Sequence, residues 1–275
     1  MDRWWINGKP GRLVDVTDRG LAYGDGLFET IAIRAGQPRF LELHLDRLLD
    51  GLSRLGIPPP DRAALARDLA LSVTGMAHGV LKLVVTRGPG PRGYRPPAQP
   101  ASTIAWGTEE STPQPAHPVA ARWCETMVAP NPATAGLKSL NRLEQVLARA
   151  EWSDPDVAEG LMTSTDGQLV GGTSSNVFVV ACGQLLTPDV AHAGIAGVMR
   201  RAILEAARGA GIPVLETRIV PGDVPRAAEV FLSNALTGIR PVHRLGAQRW
   251  GPGPVTRRLQ VLLYARGVGE CAASY

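Results

Sequence analysis

The sequence predicts a mixed α+β fold in two domains. Three observations predict it. Hairpin signals recur, with Asn7-Gly8 and Asp166-Gly167 between apolar runs. Segments of helical period lie among them, the clearest being the stripe Leu41, Leu45, Leu48, Leu49, Leu52 and Leu55. A polar stretch, TEESTPQPAH (108–117), interrupts both patterns near the middle of the chain. The expected division is an N-terminal α/β domain over 1–110, a linker over 111–118 and a C-terminal domain over 119–275.

Each element has its own warrant. RWWINGKPGRLVD reads as two short strands around Asn7-Gly8. LFETIAIR (27–34) alternates and is β-branched, so it reads as a strand, and Gly36 turns the chain after it. The leucine stripe gives a helix from Glu42 that stops at Gly56, before three prolines. A second helix runs from Asp61 to about Val73. GVLKLVVTRG (79–88) and STIAWG are strands, separated by the loop GPGPRGYRPP. In the second half come a strand near Ala120–Met127, a helix after Lys138, a hairpin in EGLMTSTDGQLVGG and another in NVFVVACGQLLTP. GVMRRAILEAARGAG is an amphipathic helix, and AEVFLSNALTGIRPV holds a strand and a loop.

Bulk properties narrow the function. The 275 residues are 44% hydrophobic, enough for a real core. The net charge is only +4, with no dense basic run and no interleaved aromatic track, which argues against nucleic acid and suits a small anionic ligand. Three widely spaced cysteines (Cys124, Cys182, Cys271) give neither a metal spacing nor a disulfide framework. No signal-peptide pattern or membrane-length apolar run occurs, so the expected location is the cytoplasm, with no membrane partner and no metal.

The chain uses arginine for its positive charge and has only three lysines, Lys9, Lys82 and Lys138. Lysine does one thing that arginine cannot: it loses its proton and forms a Schiff base. Lys138 has small or apolar neighbours (Ala135, Gly136, Leu137, Leu140), which favour a partly buried, reactive amine; the plain alternative is a surface lysine before a helix. GIAGVMRR (194–201) runs from a turn into a helix, whose start can bind phosphate as any helix start can. His44 and Arg47 lie three apart on one helix, and a solvated arginine is the plain reading there. TSSN (173–176) is a turn with hydroxyls to offer. Arg87, Arg92 and Arg95 in RGPGPRGYR suit carboxylates, or decorate an ordinary surface loop.

Several segments, taken in order, resemble the fold-type IV pyridoxal-phosphate enzymes, the class of branched-chain and D-amino-acid aminotransferases. They are DRGLAYGDGLFETI (18–31), HLDRL (44–48), RGPGPRGY (87–94), LKSLNRLEQVLAR (137–149), TSSNVF (173–178), GVMR (197–200) and SNALTGIRPV (233–242). Within the class, LNRLEQVLAR is most similar to the 4-amino-4-deoxychorismate lyases. The resemblance implies a homodimer of a small α/β domain and a larger barrel-like α/β domain, with pyridoxal 5'-phosphate as cofactor. It implies Lys138 as the Schiff-base lysine and Arg47 as the phosphate arginine. The amides of Val198 and Met199 would hold the phosphate, with Asn234 near it, and Ser174 and Ser175 beside the cofactor. Arg92, Tyr94 and Thr30 would meet the substrate. The implied reaction converts 4-amino-4-deoxychorismate to 4-aminobenzoate and pyruvate, a step of folate biosynthesis. The alternatives are an aminotransferase of D- or branched-chain amino acids and a non-catalytic ligand-binding homologue.

One position departs from the class. A glutamate that holds the cofactor's ring nitrogen protonated is expected where this chain has Gly171, in Val170-Gly171-Gly172-Thr173. Its loss weakens the electron sink on which transamination relies more than it weakens an elimination that makes an aromatic ring.

Overall fold

The computed structural model describes residues 3–272. They form two compact units, Met1–Pro113 with Leu137–Asn141, and Gln114–Gly136 with Arg142–Tyr275.

Unit 1 opens with β1 (Arg3–Ile6) and β2 (Lys9–Pro10), joined through Asn7 and Gly8, both at positive φ. The helix α1 (Arg19–Tyr23) is capped by Asp18, whose other oxygen accepts from Thr86 and Thr103. Then come β3 (Gly26–Arg34), β4 (Gln37–Pro38), α2 (Leu41–Leu55), α3 (Arg62–Ser72), β5 (His78–Thr86) and β6 (Thr103–Glu110). Gly56 ends α2 in the left-handed conformation and Asp61 caps α3, as the sequence predicts. The sheet is antiparallel in the order β2-β1-β6-β5-β3-β4. Alternation along β3 sends Leu27, Ile31 and Ile33 into a core with Leu45, Leu48 and Leu52 of α2.

The segment Leu137–Asn141 completes this unit. Its backbone pairs with the start of β3: Phe28 N–H donates to the Lys138 carbonyl and Leu140 N–H to that of Gly26.

Unit 2 contains β7 (Val119–Trp123), α4 (Leu143–Arg149), β8 (Val157–Thr163), β9 (Leu169–Gly172), β10 (Asn176–Ala181), β11 (Gln184–Pro188), α5 (Val198–Gly209), β12 (Val214–Thr217), β13 (Glu229–Asn234), β14 (Gly238–Leu245), β15 (Gln248–Arg249) and α6 (Pro254–Tyr264). The main path of its mixed sheet runs β12-β11-β10-β13-β14-β7-β8-β9. Register shifts between β14 and β7, β7 and β8, and β8 and β9 bend it.

Three differences from the sequence reading have local causes. The strand expected to reach Met127 stops at Trp123, because the Glu151 carboxylate takes the amides of Glu125 and Thr126. The loop after SNAL is a turn into a second strand, β14: Asn234 Oδ1 accepts from Leu236 and Thr237 and folds the chain back. The helix α6 was not assigned from sequence, although Pro254 starts it and Leu259 and Leu263 bury one face.

Candidate active site

In unit 1 the Lys138 amine lies 4.3 Å from the centre of the Phe28 ring, placed there by the backbone pairing with β3. Thr30, two residues along the same face of β3, is half-buried and opposite Lys82.

The other face of β3 carries Glu29, 1% exposed among the core leucines. Two partners on α2 hold it. Arg47 Nε donates to Oε1 at 2.8 Å and Nη2 to Oε2 at 2.5 Å, and His44 Nδ1 lies 2.6 Å from Oε2. Burial alone would push the Glu29 carboxyl up; the Arg47 charge and these hydrogen bonds outweigh it and hold it at about 2. Burial keeps His44 below its ordinary range against the pull of Glu29, with the charges of Arg47 and Lys138 acting in the same direction as burial. His44 is therefore neutral at pH 7 and donates through Nδ1. The plain reading of Arg47 as a solvated arginine is corrected: its side chain is 14% exposed and locked side-on to a buried carboxylate.

The loop bearing Arg92 and Tyr94 is held from beneath. Arg19 donates to the carbonyls of Gly93 and Tyr94 at 2.9 and 3.0 Å and to Asp25 at 2.9 Å. Both Arg92 and the Tyr94 ring (86% exposed) face solvent. Arg87 is buried and engaged by Asp25 and the carbonyls of Leu55 and Gly56, so the loop's first arginine is a brace, not a ligand group.

In unit 2 the TSSN turn wraps a second buried carboxylate. Glu159 accepts from Thr173, from the hydroxyl of Ser174 at 2.7 Å and from that of Ser175 at 2.8 Å. The hydroxyl protons of Ser174 and Ser175 are thus committed within the chain. Glu159 is saturated by the turn and does not stand in for the glutamate missing at Gly171. A Cβ at Gly171 would come within 2.9 Å of the Ser175 carbonyl oxygen, so this backbone is built around a glycine there.

The start of α5 has features of an anion site. Gly197 precedes it and supplies no side-chain cap to the amides of Val198 and Met199. Asn176 donates to the Ile195 carbonyl at 2.9 Å, and a Cβ at Gly197 would stand 2.0 Å from its Oδ1. Opposite Asn176 on β13 is Ser233, 1% exposed, whose hydroxyl has no hydrogen-bond partner among the described residues. An orphaned buried hydroxyl, an uncapped helix start and a cradle that a Cβ would fill fit a phosphate group. Sequence reasoning missed Ser233 and placed its neighbour Asn234 near the phosphate; Asn234 Oδ1 is engaged by its own turn.

Residues 26–245 match the family described as Amino-transferase class IV. The chain belongs to the class IV aminotransferase family. An aminodeoxychorismate lyase of Vibrio harveyi is 34% identical over 271 residues, covering 94% of this chain and 98% of that one. A putative branched-chain-amino-acid aminotransferase of Methanocaldococcus jannaschii is 32% identical, covering 93% of both. The crystal structure of 4-amino-4-deoxychorismate lyase from Pseudomonas aeruginosa superposes with a TM-score of 0.90 at 46% identity, covering 95% of this chain and 98% of that one. This class IV aminotransferase family member therefore shares nearly its whole length with lyases and aminotransferases alike.

Proposed function

We propose that the chain is a pyridoxal-phosphate-dependent lyase that converts 4-amino-4-deoxychorismate to 4-aminobenzoate and pyruvate. The observation that carries this reading is the 46% identity and 0.90 TM-score to the Pseudomonas aeruginosa lyase over nearly the whole of both chains. The glycine at 171 favours elimination over transamination, the activity named for the Methanocaldococcus relative.

Lys138 is the amine that holds the cofactor. In unit 2 the groups suited to the phosphate are the amides of Val198 and Met199 with the hydroxyl of Ser233; Arg47, fixed by Glu29, is the phosphate arginine that the family resemblance implies. When bound, pyridoxal phosphate supplies a sink for the electron pair left when a proton leaves the amine-bearing carbon.

With the cofactor and substrate bound, Lys138 would be the base that removes that proton. The bond between the ring and the enolpyruvyl oxygen breaks, and the ring becomes aromatic. The Lys138 ammonium then gives its proton to the enolpyruvyl methylene carbon, which leaves as pyruvate. One amine performs both transfers because proton transfer is efficient only from a group already in place. Arg92 pairs a substrate carboxylate, and Thr30 and Tyr94 contact the ring. The protein acts as a cytoplasmic homodimer in folate biosynthesis; exposed Leu13, Val16 and Leu21 in unit 1 suit an interface. Among the described residues no helix is long and apolar enough to cross a membrane.

Borohydride treatment of the purified protein, followed by peptide mapping, tests the reading. A visible band that reduction traps on Lys138, with 4-aminobenzoate formation that Lys138→Ala abolishes, is expected. A protein that gains no band with pyridoxal phosphate would overturn it, and rapid exchange between amino acids and 2-oxoglutarate without 4-aminobenzoate would make it an aminotransferase.

A further inference from the structure

The loop that carries Arg92 is fixed at its tip, where surface loops are usually loosest. Arg19, 3% exposed on α1, donates through Nη1 to the Gly93 carbonyl at 2.9 Å and through Nη2 to that of Tyr94 at 3.0 Å. Its Nε holds Asp25. The Tyr23 hydroxyl accepts from the Gly93 N–H at 3.0 Å. The Tyr23 ring centre lies 4.8 Å from the Arg19 guanidinium carbon and 5.5 Å from the Tyr94 ring centre. Gly90 lets the loop lie against Arg19, since a Cβ there would come within 3.0 Å of the Arg19 Cδ. Both backbone polar groups of Gly93 are thus bound to the body of unit 1. The Arg92 side chain, one residue earlier, is exposed and makes no hydrogen bond or ion pair among the described residues. A held backbone under an open guanidinium is the arrangement of a group presented to an anion from outside.

The stretch that holds this loop also anchors the Lys138 segment. The Gly24 carbonyl accepts from the Asn141 side chain at 3.2 Å, and the Gly26 carbonyl from the Leu140 N–H at 3.0 Å. Between them, Asp25 takes Arg19 on one side and Arg87 on the other. Arg87 in turn donates to the carbonyls of Leu55 and Gly56 at the end of α2. Residues 23–26 are therefore one mount for two parts of unit 1, the tip of the Arg92 loop and the segment of the amine.

We propose that Arg19 is a positioning residue for the reaction: with Tyr23 it clamps the loop tip to the mount that also carries the Lys138 segment, and so sets where Arg92 receives the substrate carboxylate. The inference rests on the reading of Arg92 as the carboxylate-binding group. A guanidinium on a loose loop must lose backbone and rotamer freedom when the carboxylate binds, and affinity falls by that amount. Arg19 removes the backbone part of this cost before the substrate arrives. Lysine at 19 would keep a charge beside Asp25 and Tyr23. It has one nitrogen in place of a planar fork, so it cannot span Asp25 and both carbonyls as Arg19 does.

Trypsin reports the clamp without any activity. It cuts after Arg92 but not after Arg95, which Pro96 follows, and it needs the backbone of Gly93 released. Cleavage of the holoenzyme between Arg92 and Gly93 should be about tenfold faster in Arg19→Lys and a few-fold faster in Tyr23→Phe, which removes a single oxygen. In lyase assays Arg19→Lys should raise KM by about tenfold, with kcat within about twofold of the parent. Tyr23→Phe should raise KM a few-fold, so the test does not hang on one variant. Arg92→Met should raise KM at least as far as Arg19→Lys does. Adding Arg19→Lys to Arg92→Met should raise it no further, because Arg19 acts through Arg92. A cleavage rate that neither Arg19→Lys nor Tyr23→Phe changes overturns the proposal. So do effects on KM that add in the double variant, or a parental KM in Arg19→Lys beside a raised one in Arg92→Met; in these cases the reading of Arg92 stands. A parental KM in Arg92→Met removes that reading, and the proposal with it, whatever trypsin shows.

Discussion

Helices α5 and α6 both begin after a glycine in unit 2, and they treat their first turns in opposite ways. At α6 the chain supplies its own anion. The buried Glu229 carboxylate accepts from the amides of Val255 and Thr256 at 3.0 and 2.7 Å and from the Thr256 hydroxyl at 2.6 Å. Gly253 is required there, since a Cβ would stand 1.9 Å from the Glu229 carboxyl carbon. At α5, among the described residues, no carboxylate accepts from the first turn, and the glycine leaves room for Asn176 instead. A helix start filled by an internal carboxylate is a structural joint. One left to its own dipole beside an orphaned hydroxyl is suited to an anion from outside the chain. The difference, rather than either helix start alone, is what supports reading α5 as the phosphate site.

Four measurements bear on that comparison. The largest effect belongs to α6. Glu229→Ala strips three donors of their acceptor and should cost about 3 to 4 kcal/mol in urea unfolding, with the affinity for pyridoxal phosphate unchanged in the folded protein. A loss of affinity with little loss of stability would reverse the roles of the two helices.

A third buried carboxylate, Glu29, is closed by a charge rather than by amides, and should show it in acid. Its carboxyl sits at about 2 when folded and near the ordinary 4.5 when unfolded. The stability it contributes is therefore present above pH 4.5 and is lost as pH falls from there toward 2, by about 3 kcal/mol. His44, lowered by burial, adds a loss of the same sign as pH drops below its unfolded range near 6.5. Denaturation curves of the parent and Glu29→Gln should converge in acid; parallel curves would mean that Arg47 does not hold Glu29 ionised.

Smaller effects are expected at α5. Gly197→Ala pushes Asn176 off the Ile195 carbonyl, costs about 1 kcal/mol, and should weaken pyridoxal phosphate binding by about tenfold. Smallest is Ser233→Ala. Removing a hydroxyl that has no partner should leave stability within about 0.5 kcal/mol of the parent while affinity falls a few-fold. If Ser233→Ala unfolds the protein and spares the affinity, the orphaned hydroxyl is a structural group and the comparison loses its best witness.

Local signals carried much of this fold. Asn7-Gly8 and Asp166-Gly167 announced hairpins because few residue pairs tolerate those turns, and Asp61 and Gly56 bounded helices for equally local reasons. Lys138 stood out because arginine does the other cationic work. Glu29 was legible and went unread: it has the parity of Leu27, Ile31 and Ile33, so the alternation that placed them in the core placed a carboxylate there too. Glu159 shares parity with Leu161 in the same way. Ser233 had no such signal. Whether a buried hydroxyl finds a partner depends on what other strands and helices bring to it, and no spacing along the chain encodes that.

The pairing of Leu137–Asn141 with the start of β3 has a consequence for synthesis. Asn141 donates to the carbonyl of Gly24 across 117 residues of chain. All six strands of the unit 1 sheet and its three helices leave the ribosome before this segment does. Until then the edge of β3 at Gly26–Phe28 lacks the strand that completes it, and the Phe28 ring is without the Lys138 amine. Distant pairings form late. The amine that the proposed chemistry uses is thus installed only when the ribosome is already past the middle of the chain, and no product released before that point can carry it.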